Sequence, residues 1–467
     1  MKRTKIIATL GPATDRPGVL KAILAAGVDL IRLNCSHGLL AEHEARLQAA
    51  RAFAAELQKP LGVIADLQGP KIRIGCFQAG SIVLNPGDPF VIDAQMAADA
   101  GNNCGVGVDY PSLAADVQVG DTLILDDGLI VLLVQTIQES AVHTIVQLGG
   151  KLSNHKGLNR RGGGLSAESL TPKDRQDLIW AAARQVDYVA LSFPRSACDL
   201  DQARALLVQH QSRAGLLAKI ERVEAVQALD EIIIASDGVM VARGDLGIEL
   251  GYAELPAVQK RIIARARALD RPVVTATQMM ESMIHHCIPT RAEVSDVANA
   301  VLDGTDAVML SGETAVGDFP TETVAMMQEI CVAVEREKIT QISQHRVECR
   351  FESPEEAIAM ATMYSANHMN TRAIVCITET AALPLWMSRI RSGIPIYAFS
   401  RDALVCGRMT LYRGVYPMYV DQASSDEASV DHQKSWALQK LLDMKGVQPG
   451  DRIILVFKNT LEILIID

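Results

Sequence analysis

Eight short runs of β-branched and other apolar residues recur along the chain, each separated from the next by a segment with helical apolar spacing. They are KIIATL (5–10), DLIRLN (29–34), GVIADL (62–67), YVALSFP (188–194), LLAKIE (216–221), GVMVARGD (238–245), PVVTATQ (272–278) and AVMLSGET (307–314). Strands buried on both faces read as unbroken apolar runs, and eight βα units close into a (β/α)8 TIM barrel whose chemistry sits at the C-terminal strand ends. The run endings fit that rule: Arg32-Leu33-Asn34-Cys35-Ser36, Asp66, Ser192, Lys219-Ile220-Glu221, Arg243-Gly244-Asp245, Thr277-Gln278 and Ser311-Gly312-Glu313. One solvated strand end is ordinary, but seven together mark a functional rim.

The third and fourth runs are separated by about a hundred residues of different texture, with SIVLN, PFVIDA, DTLILDDGLIVLLV and AVHTIVQL. Asp127-Gly128 between apolar residues signals a hairpin. Residues 70–169 are therefore expected to form an inserted all-β barrel. Its return, RRGGGLSAESLTPKD, offers three glycines as a hinge, and Thr171, Pro172 and Asp174 supply an N-cap, an N1 proline and an N3 acid. A hinged insertion beside a catalytic rim suggests a lid. After a helix expected near 321–337, a polar stretch leads to AIVCITET, PIYAFS, GVYPMYV, RIILVF and EILIID, which read as a C-terminal open-sheet α/β domain. The expected division is 1–69 plus 170–340 for the barrel, 70–169 for the lid and 341–467 for the last domain.

Hydrophobic residues make up 49% of the chain and charged residues 21%, enough to bury large cores. A net charge of −10 with 4% aromatics leaves no basic, base-stacking surface, so no nucleic-acid partner is expected. An anionic small substrate then needs a local cation cluster or a metal. Apolar runs fall short of the roughly 20 residues that span a bilayer, and the start, MKRTKIIATLGPATD, lacks a long apolar core and a cleavage site. No membrane association and a cytoplasmic location are the expectation. Nine scattered cysteines without C-x-x-C argue against a disulfide framework or structural zinc and read as reduced, mostly buried thiols.

Lys219 and Glu221 stand two apart on one strand, so their side chains share a face, and Asp245 ends the next strand. Two carboxylates on adjacent strand ends suit a hard divalent ion with positions left for substrate oxygens, and the lysine adds positive charge beside the same substrate. A rim salt bridge is the alternative for Lys219 and Glu221. Gly244 and Gly247 flank Asp245 in a strand-to-helix bend whose N–H groups could hold a carboxylate or phosphate. No G-x-x-x-x-G-K-[ST] occurs, which argues against a P-loop. His285-His286-Cys287 reads as a surface loop before Pro289 rather than a metal site.

RLNCSHG, DLQGPKIR, AKIERVEAV, MVARGDLGIE and ATQMMESMIHHCIPTRAEVSDVANAVLDGTDAVMLSGETA together resemble the pyruvate kinase family across essentially the whole chain. The resemblance implies phosphoryl transfer from phosphoenolpyruvate to ADP, giving pyruvate and ATP through a Mg2+-stabilised enolate in the last step of glycolysis. It implies Mg2+ (or Mn2+) on Glu221 and Asp245, and Lys219 at the transferring phosphoryl group. Arg32 and Arg73 are implied as phosphate ligands, and Lys156 as a nucleotide contact from the lid. Gly244, Asp245, Thr277 and Ser311 fall to the substrate, with Thr277 on the route of enolate protonation. Asn34, Ser36, Asp66 and the carbonyl of Leu67 match a monovalent-cation site. A homotetramer is the family expectation.

Two departures stand out. Lys71 occupies a position where a glutamate accompanies potassium dependence in the family, so K+ is expected not to be required, with Lys71 as substitute charge. In CITETAALPLWMSRI, Ala381, Ala382, Leu383 and Pro384 replace the small hydroxyl and glycine residues that grip an effector phosphate, and the last hairpin, ILVFKNTLEILIID, is short. Sugar-phosphate activation is expected to be weak or absent. The alternatives are a phosphoenolpyruvate-utilising lyase or aldolase on the same barrel, which lacks the lid and Lys156, and an inactive regulator, which would have lost Lys219 or a metal carboxylate.

Overall fold

The computed structural model describes residues 2–343, 350–420 and 430–466. The chain begins with β1 (Lys5–Thr9), β2 (Leu30–Asn34) and β3 (Gly62–Asp66), then enters the inserted strands β4 (Ser81–Leu84), β5 (Pro89–Asp93), β6 (Gly105–Gly107), β7 (Thr122–Leu125), β8 (Ile130–Gln138), β9 (Ala141–Leu148), β10 (Gly150–Ser153) and β11 (Leu158–Arg160). It returns to β12 (Tyr188–Leu191), β13 (Gly215–Ile220), β14 (Gly238–Ala242), β15 (Val273–Ala276) and β16 (Ala307–Leu310). These five join β1, β2 and β3 in a closed parallel barrel, β1-β16-β15-β14-β13-β12-β3-β2. All eight expected runs are strands of it.

The barrel strands are buried along their whole length, except at Asn34, where β2 reaches the rim. Burial on both faces follows from the pleat: Ile6, Ile31, Val63 and Val239 pack on the surrounding helices, while Ile7, Ile64, Leu217, Met240 and Met309 fill the interior. The interior cluster is continuous with Met363, Ile374, Met387 and Met409 of the C-terminal region. Contacts at the strand starts explain this. The Lys5 ammonium donates to the Val415 carbonyl, Tyr188 Oη donates to the Arg408 carbonyl at 2.8 Å, and Arg389 pairs with buried Asp306. The C-terminal region thus closes the N-terminal end of the barrel, opposite the rim of polar strand ends.

The insertion forms a six-stranded sheet, β11-β7-β8-β9-β5-β6, and a two-stranded sheet, β10-β4, curled round one core of residues such as Phe90, Leu123, Leu132 and Val142. The expected hairpin joins β7 to β8 through Asp127 (φ 54°) and Gly128 (φ 101°). Strands β6, β10 and β11 escape sequence reading because each has only three or four residues, with little apolar pattern. The return contains Gly162, Gly163 and Gly164 at φ 84°, 78° and 93°, a left-handed run that only glycine adopts without strain. Thr171 then caps the helix Pro172–Ala183 in a reciprocal box with Asp174.

A helix spans Pro320–Val334, ending three residues before the expected boundary. Residues 344–349 of the polar stretch lie outside the described residues. Strands β17 (Ala373–Ile377), β18 (Ile396–Ser400), β19 (Val415–Tyr419), β20 (Arg452–Phe457) and β21 (Thr460–Ile465) make the open sheet β19-β18-β17-β20-β21, antiparallel only at its last pair. Of the eight described cysteines, all free, Cys35, Cys331, Cys376 and Cys406 are buried, so half rather than most are buried. Among the described residues no helix is long and apolar enough to cross a membrane.

Candidate active site

The ends of β2, β3 and β13 bring four charged groups together. Lys219 Nζ lies 2.9 Å from Glu221 Oε1 and 3.2 Å from Asp66 Oδ1, and Arg32 Nε donates to Asp66 Oδ2 at 2.6 Å. Asp66 is completely buried. Burial alone raises its pKa, but Lys219 and Arg32 outweigh that and hold the carboxylate below its usual range. Burial likewise disfavours the Lys219 ammonium, and Asp66 and Glu221 more than compensate, raising its pKa. Burial pushes Glu221 upward; Lys219 opposes it, and nearby Asp245 adds to it. A cation beside Glu221 offsets both effects, as the Lys219 ammonium does here.

Asp245 sits in the first turn of the helix Arg243–Leu250, directly after β14. Its Oδ1 is 3.1 Å from Lys71 Nζ, so the lysine bridges the start of the insertion to this strand end. Thr277 follows β15 in a left-handed conformation, φ 65°, with Gln278 at 51°. A β-branched residue at positive φ is strained, and its surroundings must enforce it. Buried Arg243 does so, its guanidinium donating to the carbonyls of Ala276, Thr277 and Gln278 and to Asp296. Thr277 Oγ1 in turn accepts the Gly244 N–H at 3.1 Å and donates to the Ala276 carbonyl. The buried Ser311 hydroxyl, at the end of β16, has no hydrogen-bond partner among the described residues.

Arg73 Nη1 donates to the His155 carbonyl at 3.1 Å, within the insertion. Lys156 Nζ pairs with Asp126 Oδ1 at 2.8 Å in the β7–β8 turn rather than with the Lys219 cluster. Asn34 Oδ1 accepts the Ser36 N–H, and the Leu67 carbonyl accepts the Ser192 hydroxyl at 2.7 Å. Lys71 thus meets Asp245, not the Asn34, Ser36, Asp66 and Leu67 group. His37 is held below its usual pKa by burial and then by the charges of Arg73, Arg32 and Lys71.

Sequence reading gives Ser192 as a polar strand end but not its role, a hydroxyl that takes a 2.7 Å hydrogen bond from Lys219, and it misses Phe193, whose N–H donates to Glu221 Oε2 at 2.8 Å from a left-handed backbone. The polar ending of YVALSFP is the signal that pointed there. Arg243 is missed as an anchor, since its sequence neighbours say nothing of the turn it supports. His285 is exposed, with Nδ1 3.2 Å from Asp318, and among the described residues no three His, Cys, Asp or Glu groups converge as a metal cage.

Residues 1–324 match the family model described as "Pyruvate kinase, barrel domain", and residues 356–462 the one described as "Pyruvate kinase, alpha/beta domain". The chain is 49% identical to a pyruvate kinase of Haemophilus influenzae over 97% of its length and 95% of the relative's. It is 50% identical, with the same coverage of each, to pyruvate kinase II of Salmonella typhimurium. A crystal structure of a pyruvate kinase from Cryptosporidium parvum superimposes with a TM-score of 0.95 at 32% identity, covering 100% of this chain and 96% of the other. The barrel, its rim of paired charges and these likenesses together place the chain in the pyruvate kinase family of phosphotransferases.

Proposed function

We propose that the chain transfers the phosphoryl group of phosphoenolpyruvate to ADP at the rim formed by Lys219, Glu221 and Asp245, giving pyruvate and ATP. The observation that carries this reading is the buried ammonium of Lys219 held between Asp66 and Glu221, with Asp245 ending the neighbouring strand. The donor set fits a divalent cation: two hard carboxylates, one raised by the other, with too few protein ligands for a closed cage. Mg2+ or Mn2+ on Glu221 and Asp245 would supply positive charge for the phosphoryl and enolate oxygens. Lys219 orients and neutralises the transferring phosphoryl group. Arg32 and Arg73 bind phosphate oxygens, and Lys156 meets the nucleotide from the lid. Gly244, Asp245, Ser311 and Thr277 position the substrate carboxylate end, and the Thr277 hydroxyl lies on the path that delivers a proton to the enolate carbon.

The same reading assigns 1–69 and 170–340 to the barrel, 70–169 to the lid and 341–467 to the last domain, supported by the separate lid core. It extends to a cytoplasmic homotetramer and to Lys71 in place of K+. The test is formation of pyruvate and ATP from phosphoenolpyruvate and ADP with Mg2+ or Mn2+, followed through lactate dehydrogenase, with sedimentation for the assembly. Absence of pyruvate under those conditions overturns it.

A further inference from the structure

At the lid root a thiol faces an imidazole: Cys76 Sγ lies 3.1 Å from His155 Nε2. Backbone contacts on both sides hold the pair. His155 N–H donates to the Gly75 carbonyl at 3.3 Å, Ile74 N–H to the Lys156 carbonyl at 2.9 Å, and Phe77 N–H to Asn154 Oδ1 at 2.8 Å. Cys76 is half-buried and His155 exposed, so a small solute can reach them. His155 also carries the carbonyl that receives Arg73 Nη1. We propose that Cys76 is a modification site for low-molecular-weight disulfides, and that its modification loosens Arg73.

The chemistry is thiol–disulfide exchange, for which the thiolate is the nucleophile. The Cys76 S–H proton passes to His155 Nε2, the thiolate sulfur attacks one sulfur of R–S–S–R, and that S–S bond breaks as the Cys76–S–S–R bond forms. The departing RS− takes the proton from the imidazolium, leaving RSH and neutral His155. The bulk of R then occupies the space of the thiol–imidazole contact. His155 has to shift, and its carbonyl carries the Arg73 hydrogen bond with it.

The other cysteines supply internal standards. Burial pushes the thiols of Cys35, Cys331, Cys376 and Cys406 up to about 12, which makes them inert. Cys104, Cys198 and Cys287 are exposed, yet none has an imidazole within hydrogen-bonding distance among the described residues. Accessibility alone therefore ranks Cys76 below these three, whereas the imidazole partner ranks it above them.

The experiment treats the full-length protein with oxidised glutathione and follows each cysteine by peptide mass spectrometry. Cys76 is expected to react about tenfold faster than Cys104, Cys198 and Cys287, and His155→Gln to bring it down to their range. The modified protein is expected to show a KM for phosphoenolpyruvate or ADP raised severalfold, with kcat within about twofold, reversed by dithiothreitol. Cys76→Ser should keep the unmodified KM and ignore the disulfide. A Cys76 rate no higher than that of the three exposed cysteines overturns the site, and fast modification with unchanged KM overturns the link to Arg73. The KM arm rests on the phosphate role proposed for Arg73. If Arg73→Ala itself leaves KM unaltered, that role has failed, while the modification rates still decide the thiol pair.

Discussion

Lys219 of β13 and Glu221, the residue just past its end, hold their charged ends 2.9 Å from each other, and Asp66 closes on the same ammonium from β3. The strand pleat makes the first contact unavoidable, and the β13-β12-β3 order brings the second across the rim. Lys219→Ala leaves both carboxylates without their main buried cation and removes the electrostatic donor from the transferring phosphoryl group. One such donor is typically worth on the order of 3 kcal/mol or more in the transition state. Turnover in a coupled pyruvate assay should fall by about 10² or more, while Mn2+ titration of the variant still shows binding through Glu221 and Asp245. Near-normal turnover would sink the role.

The eight strand runs and the charge pair on β13 were legible because both depend on local periodicity: continuous apolar runs for burial, and spacing of two for a shared face. The C-terminal domain's alternation was legible for the same reason. What stayed hidden depends on contacts between distant segments. Arg243 sits in a quoted strand end, but its grip on the strained Thr277-Gln278 turn exists only once β14 lies beside β15. Lys71 reads from the sequence as a charge in place of K+, but its partner Asp245 emerges only once the start of the insertion crosses toward β14. Short strands such as Gly105–Gly107 carry too little pattern to be found at all.

Asp187, before β12, gives a pH dependence that lies outside the active site. It is almost wholly buried, and burial raises its pKa from 3.8 to about 7, against the hydrogen bond from Val63 N–H and the charges of Arg51 and Arg408. The folded state therefore keeps a proton that the unfolded chain has already lost. Stability contributed by this group is full below pH ~4, declines as pH rises toward about 7 and is flat above. At about 1.4 kcal/mol per unit, the cost above pH 7 is on the order of 4 kcal/mol at most. Asp187→Asn keeps an acceptor for Val63 and should melt at a higher temperature than the parent at pH 8, the gain vanishing near pH 4. A gain unchanged across that range would mean that ionisation of Asp187 is not its source.

The turn after β17 bears on regulation. Thr380 N–H donates to Thr378 Oγ1 at 3.2 Å and Ala382 N–H to Thr380 Oγ1 at 3.4 Å, so both hydroxyls serve the turn itself. Ala381 and Ala382 bring no side-chain donors, and the β20–β21 hairpin closes from Phe457 to Thr460 with only Lys458 and Asn459 between. Fructose 1,6-bisphosphate, ribose 5-phosphate and glucose 6-phosphate should each shift the phosphoenolpyruvate half-saturation less than about twofold. A large shift that Thr378→Val and Thr380→Val together abolish would show that the turn does bind a phosphate.

The contact of Lys71 with Asp245 bears on the monovalent cation. Phosphoenolpyruvate and ADP bring several negative charges to a rim where the charges of Arg32, Lys71 and Arg73 all act on His37. An ammonium about 4 Å from a phosphate contributes about 4 kcal/mol at an effective dielectric near 20, before desolvation reduces it. Lys71 is tethered at the start of the insertion and only partly exposed, so its charge is supplied without capture from solution. Asp66, already engaged by Lys219 and Arg32, has little negative charge left for a free ion. The parent enzyme should therefore turn over fully in tetramethylammonium buffer freed of potassium. Lys71→Glu places a carboxylate next to Asp245, loses the fixed charge and should become dependent on K+, with activity falling at least tenfold in its absence and recovering in part on addition. Strong activation of the parent by K+, or a Lys71→Glu enzyme indifferent to it, would remove Lys71 from this role.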